Sequence, residues 1–205
     1  MRTTALRQIG IVAASMLVAS CAERSNLTNP AVVSGSGAHR TILASPATVH
    51  VVTRNAPLAT SLSTSATIGA FGGTLSLPGA GLTVVVPPFA LTSPTTITVT
   101  ALAGSEVAYQ FDPHGTQFLV PLVVTQSLVG TSAATSGLLP KVLVAGYWNS
   151  LSDLNQLSGT ALVSELLSTS VSLLNNTATF PVYHFSGYLV ASGLTDTGTD
   201  STASY

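Results

Sequence analysis

An all-β fold, a sandwich of short antiparallel strands, is what this 205-residue chain predicts. Two observations carry that expectation. First, Ser and Thr supply the polarity, interleaved with β-branched residues as in Thr96-Ile97-Thr98-Val99-Thr100. Only 6% of residues are charged against 46% hydrophobic, where about 25% charged is usual. Second, from Gly69 onward short apolar runs are separated by Gly and Pro at near-regular intervals, the pattern of a sandwich or barrel.

The first segment reads differently. Residues 1–20 carry Arg2 and Arg7 and then the apolar run Ile9 to Val18, shorter than the roughly 20 residues of a membrane span. This is the make-up of a secretory signal peptide. The run ends in Val18-Ala19-Ser20-Cys21, which resembles a bacterial lipobox. In that resemblance Cys21 becomes the first mature residue and takes a thioether-linked diacylglycerol, because its thiol is the nucleophile. Two or three acyl chains, at about 0.8 kcal/mol per buried methylene, give a stable anchor. Ala22 follows where aspartate retains many lipoproteins at the inner membrane, which points to the outer membrane of a bacterial cell envelope. Cys21 is the single cysteine, so an internal disulfide is excluded.

Residues 21–46 mix Ser, Asn, Gly and Pro with little periodicity and read as a flexible tether. The sandwich is expected over 47–193, and the tail 194–205, rich in Thr, Ser, Gly and Asp, as disordered. The first strand expected is Thr48–Thr53, with a loose stretch from Asn55 to Thr67. Further strands are expected at Gly73–Leu77, Leu82–Val86, Thr96–Leu102, Val107–Phe111, Leu119–Gln126, Val142–Tyr147, Ser170–Leu174, Ala178–Tyr183 and Ser186–Ala191. Pro78, Gly79 and Gly81 set a tight turn between the first two of these. Pro87-Pro88 ends the second, since neither can donate to a ladder. Between Leu151 and Leu167 the spacing of Leu151, Leu154, Leu157, Leu162 and Leu166 fits a helical period, so one short helix is expected there.

Charge excludes one class of partner. Phosphate binding needs clustered Lys and Arg, and the chain holds 6 such residues in all. From Cys21 onward four basic side chains face seven acidic ones, so the mature body is mildly acidic and nucleic acid is not expected.

Two motifs then lead to a family. Gly72-Gly73-Thr74-Leu75 runs through an apolar strand to Pro87-Pro88-Phe89-Ala90. Asp112-Pro113-His114-Gly115 precedes Leu119-Val120-Pro121-Leu122. Together they resemble the ZU5 domain of zonula occludens scaffolds, ankyrins and netrin receptors, which also occurs in bacterial surface proteins. The resemblance covers about 69–126, with His184-Phe185-Ser186-Gly187-Tyr188 similar to a closing motif of bacterial relatives. It departs from the family at Phe89 and Asp112, where Gly is usual, and Phe89 suggests a different turn after Pro88. The resemblance implies a β-sandwich used for protein contact or as a structural module, without enzymatic activity or cofactor.

His184-Phe185-Ser186 has a second reading. In some similar animal domains this tripeptide is a self-cleavage site. Transferred here, Ser186 would attack the Phe185 carbonyl with His184 as base, which requires a distorted peptide. In a plain closing strand Phe185 instead packs inward, while His184 and Ser186 share the other face about 6.6 Å apart. A hydrolase triad finds no Gly-x-Ser-x-Gly. Asp112 and His114 with His50 or His184 match no zinc spacing, and Asp112-Pro113-His114-Gly115 reads as a turn with Gly115 at positive φ. Trp148 beside Tyr147 would stack on a carbohydrate if exposed, and would be core if not.

Overall fold

The computed structural model describes residues 32–33, 40–134 and 142–194. In chain order the strands are β1 (Val32–Val33), β2 (Arg40–Val51), β3 (Thr53–Leu58), β4 (Leu62–Ile68), β5 (Gly73–Leu77), β6 (Leu82–Val86), β7 (Thr95–Ala101) and β8 (Gly104–Glu106). They continue as β9 (Ala108–Asp112), β10 (Gln117–Ser127), β11 (Val144–Trp148), β12 (Leu154–Asn155), β13 (Thr160–Leu167), β14 (Ser170–Ser172), β15 (Thr177–His184) and β16 (Gly187–Leu194). The only helical turns among the described residues are 3-10 turns at Pro78–Ala80 and Leu151–Asp153.

One sheet runs β1-β2-β13-β11-β16-β9-β7-β4, with β12 added on β13. The second runs β14-β15-β10-β6-β5, and β3 pairs with β8. Alternation builds the core between the two large sheets. In β15 every second residue turns inward, Ala178, Phe180 and Val182. From β6 and β10 come Val84, Val86, Leu122 and Val124, and from the larger sheet Val99, Phe111, Ala145 and Tyr188. The all-β sandwich read from the sequence is the architecture found.

The larger sheet curls on itself. β2 pairs with both β13 and β16, and β13, β11 and β16 are successive neighbours, so four strands form a closed ring. Inside it lies a second core of Val49, Val51, Trp148, Ala161, Val163 and Leu189. β16 is therefore covered on both faces: Tyr188 and Val190 enter the first core, Leu189 and Ala191 the second. This explains its unbroken apolar run, the signature of a strand with no solvent face.

Proline sits where the ladders let it. Pro46 lies in the register break between β2 and β13, between Ile42↔Glu165 and Ala47↔Val163. Pro181 lies past the last pair β15 makes with β14, Ser170↔Thr179. In both places a missing N–H removes no ladder bond on that side.

Three expectations are corrected. The first long strand begins at Arg40, inside the segment read as tether. The loose stretch from Asn55 to Thr67 contains the end of β3 and most of β4, whose Ser/Thr-rich sequence pairs in unbroken register with β7. The helix expected within 151–167 reduces to the 3-10 turn Leu151–Asp153, capped by Ser150 and Asp153. The remainder pairs as β12 and β13, where Ala161, Val163, Glu165 and Leu167 turn inward while Leu162 faces solvent. The leucines that suggested a helix do not share a face, since Leu151, Leu157 and Leu162 are exposed while Leu154 and Leu166 pack on the second core, and β pairing overrides their spacing.

A buried polar latch ties the smaller elements to the core. Arg54 donates to the Glu106 carbonyl and lies 3.4 Å from the Tyr109 hydroxyl. Tyr109 in turn donates to the Ala80 carbonyl at 3.0 Å and touches Gln126. Burial holds the Tyr109 phenol above its ordinary pKa, with the Arg54 charge opposing.

Candidate binding groove at the crossing between the sheets

The chain passes from the smaller sheet to the larger through Phe185 and Ser186, the two residues between β15 and β16. The loop after β9 clamps this crossing. Phe185 N–H donates to the Thr116 carbonyl at 2.8 Å and Gly115 N–H donates to the Phe185 carbonyl at 3.2 Å. Gly115 has φ of 79°, as the turn reading expected, and the Asp112–Pro113 peptide is cis. The Phe185 ring is buried, stacked on Phe111 at 5.7 Å and edge-on to Phe118 at 4.7 Å.

Register sets the chemistry beside the crossing. Glu165 of β13, Tyr147 of β11 and Tyr188 of β16 are cross-strand partners in one row, so they share a face. His184 reaches this row from the other sheet. Its Nε2 lies 3.2 Å from Glu165 Oε1 and its Nδ1 3.3 Å from the Tyr188 hydroxyl. That hydroxyl also donates to the His184 carbonyl at 2.6 Å, and the Tyr147 ring meets the imidazole edge-on at 4.6 Å. Burial drives the Tyr188 pKa far above the ordinary phenol value, and the Glu165 carboxylate adds to the rise. Tyr188 is thus a neutral donor at any physiological pH.

Arg40 closes the row. Its Nε lies 3.8 Å from Glu165 Oε2, and its guanidinium sits 5.1 Å from the centre of the Tyr183 ring. Oε2 is buried and has no hydrogen-bond partner. These side chains, with Gln117, Phe118 and Asn149, border an open groove of about 840 Å³. Arg40 is the basic side chain that Glu165 Oε2 faces, charge-paired with it but not hydrogen-bonded.

The residues singled out from sequence fare unequally. His184 and Phe185 join the groove as a packed structural joint. Ser186 turns away: its buried hydroxyl faces the Trp148 carbonyl at 3.5 Å, while both His184 ring nitrogens face other groups. The structure does not bring His184 to Ser186. It also differs from the plain-strand picture, because His184 ends β15 while Ser186 lies in the crossing between the two sheets. Trp148 is core, 2% exposed, and a Cβ on Gly187 would lie 2.1 Å from its Cε2. Stacking on a carbohydrate through Trp148 is therefore corrected, and Tyr147 serves the groove instead. His114 lies 3.6 Å from Asp112 and 3.2 Å from Gln110. Among the described residues no group of three or more His, Cys, Asp or Glu could hold a metal, and no helix is long and apolar enough to cross a membrane.

Phe89 occupies an unusual backbone position. It has φ of 64°, the left-handed conformation that favours glycine. Sequence reasoning missed Arg40 and Glu165, one lying in the expected tether and the other in the expected helix. Cys21, the segment before it and residues 195–205 lie outside the described residues.

Comparison with known families agrees with the motifs. No curated protein matches the chain. Residues 64–134 match the family model of the ZU5 domain, which spans β4 to β10 and includes His114, Gln117 and Phe118 of the groove. Arg40, Tyr147, Glu165 and His184 come from elements outside the match. Residues 64–134 are thus similar to the ZU5 domain, a family of protein-interaction modules.

Proposed function

We propose that this protein is a non-enzymatic, lipid-anchored component of the bacterial cell envelope, held through Cys21 and binding a protein partner at the groove beside His184. The observation that carries the binding half is the buried Glu165 carboxylate, whose Oε2 lacks a hydrogen bond between the Tyr147 and Tyr183 walls. An extended partner segment with a basic side chain that displaces Arg40 from Oε2 would supply the missing donor, and a charge-assisted bond is stronger than a neutral one. The anchoring half is supported by Val18-Ala19-Ser20-Cys21, with Ala22 favouring the outer membrane.

Both halves are tested in a diderm bacterium fed a clickable fatty acid. The full chain incorporates label and fractionates with membranes, and Cys21→Ala does neither. A labelled Cys21→Ala protein contradicts the anchor. A photo-cross-linking residue at the exposed Asn149 yields a protein adduct that Glu165→Gln abolishes, while the same residue at Ser158 yields none. Identical adducts with and without Glu165 contradict the groove.

A further inference from the structure

Three segments meet beside the polar latch. Arg54 of β3, the turn Pro78–Ala80 and the turn after β10 enclose a cleft of about 300 Å³ that shares no residue with the groove at His184. Main-chain bonds hold its walls: Asn55 N–H donates to the Gly130 carbonyl and Ser127 N–H to the Gly81 carbonyl, both at 2.8 Å. Ala56, an exposed residue, stands at the rim. The mouth is open at Gly130, whose absent side chain would meet nothing within 4 Å.

Arg54 is the one charged residue in the lining of this cleft. It is 9% exposed and has no ion pair among the described residues. Glu106, whose main-chain carbonyl it holds, directs its carboxylate elsewhere. Oε1 takes the Ser105 hydroxyl at 3.1 Å, and Oε2 lies 3.0 Å from where a Cβ on Gly104 would stand. A guanidinium offers five N–H donors. Two of them find partners, the Glu106 carbonyl and, at 3.4 Å, the Tyr109 hydroxyl, while Nε is buried and has none. Acceptors on the other walls are already engaged: the Ala80 carbonyl by Tyr109 and Gln126, the Ser127 carbonyl by Gln126 and the Leu128 carbonyl by Thr131. A buried charge without a counter-ion is costly, and an anion in the cleft removes that cost.

We propose that this cleft binds a small monocarboxylate, its two oxygens facing the unspent N–H groups of Arg54 and its alkyl part lying against Leu58, Pro78 and Val129. A carboxylate is the planar partner that a guanidinium takes with two parallel hydrogen bonds. One guanidinium supplies one positive charge, and residues 55–105 and 113–140 contain no Lys or Arg, so a monoanion is balanced there and a phosphate dianion is not. The site depends neither on the groove at His184 nor on the anchor at Cys21.

The test is nuclear magnetic resonance of the isotope-labelled full chain, following the Arg54 Nε–H signal, which is assigned by through-bond correlation to its own backbone. Propionate at millimolar concentration shifts that signal to saturation and leaves the Arg40 signal in place. Propionamide, its neutral isostere, binds about tenfold more weakly, the factor that one charge-assisted hydrogen bond supplies. Ala56→Phe, at an exposed site, crowds the mouth and weakens propionate without lowering the denaturation midpoint, so the loss cannot come from unfolding. An Arg54 signal that stays in place, or that follows propionamide equally, overturns the proposal. So does a shift shared by every arginine without saturation, the mark of an adventitious ion only. Unchanged affinity in Ala56→Phe contradicts the placement, and tighter binding of inorganic phosphate than of propionate contradicts the ligand class.

Discussion

Gly187 is where one methyl group should cost the most. An alanine Cβ there would lie 2.1, 2.2 and 2.4 Å from Cε2, Cδ2 and Cζ2 of Trp148, so the indole must retreat by more than about 1 Å to reach ordinary contact. It has nowhere to go, because the second core of Val49, Ala161, Val163 and Leu189 holds it. Gly187→Ala is expected to destabilise by about 3 kcal/mol, the upper part of the overpacking range. Trp148→Leu should cost a similar amount, about 3 kcal/mol, by leaving a cavity. The two are not independent, since the smaller side chain makes room for the methyl group. The double variant should therefore cost about 3 kcal/mol in place of the sum, a coupling near 3 kcal/mol. Guanidinium unfolding monitored by circular dichroism reads this from the midpoints, provided the m-values agree. Additive costs, or a Gly187→Ala cost below about 0.5 kcal/mol, would refute the claim that close approach to Trp148 dictates glycine where the chain enters β16.

Other expectations follow from single features. Phe89→Gly should raise stability by about 1 kcal/mol by removing left-handed strain, seen as a higher guanidinium midpoint; a lower midpoint would mean that the ring packs usefully. Tyr109 and Tyr188 both have folded-state pKa values raised from 10.0 by burial. The unfolded chain then releases their protons first, so stability is full below about pH 10 and falls above it, by about 1.4 kcal/mol per pH unit for each tyrosine. A flat profile between pH 10 and 11 would contradict their burial. Trp148, the single tryptophan, should resist acrylamide quenching, and quenching at the rate of a free indole would return it to the surface.

How far the sequence could be read follows from what each residue's neighbours demand. β6 and β15 were legible because their alternation is local: one face meets the core and the other water. β4 was not, because its inward face of Leu62, Thr64, Ala66 and Ile68 includes a threonine and an alanine and contrasts weakly with the outward Ser63, Ser65 and Thr67, and β7 beside it completes the strand. β13 was misread because Leu162 and Leu166 dominate the pattern while Ala161 and Val163 turn inward. The groove was half legible. His184 and Phe185 stood out as a motif, whereas Arg40 and Glu165 meet them only through the β2–β13 pairing, at sequence separations that no local pattern records. Phe89 shows the opposite case, in which the backbone takes the left-handed conformation that favours glycine and the side chain goes to solvent.

The central claim is that the crossing at His184, Phe185 and Ser186 is a structural joint beside a binding groove and not a cutting site. Intact mass of the full chain under denaturing conditions, beside Ser186→Ala, tests it most directly. The account predicts a single uncut species for both proteins, because the Ser186 hydroxyl faces Trp148 and the His184 ring faces Glu165 and Tyr188. Two fragments summing to the full mass plus one water, absent from Ser186→Ala, would contradict it.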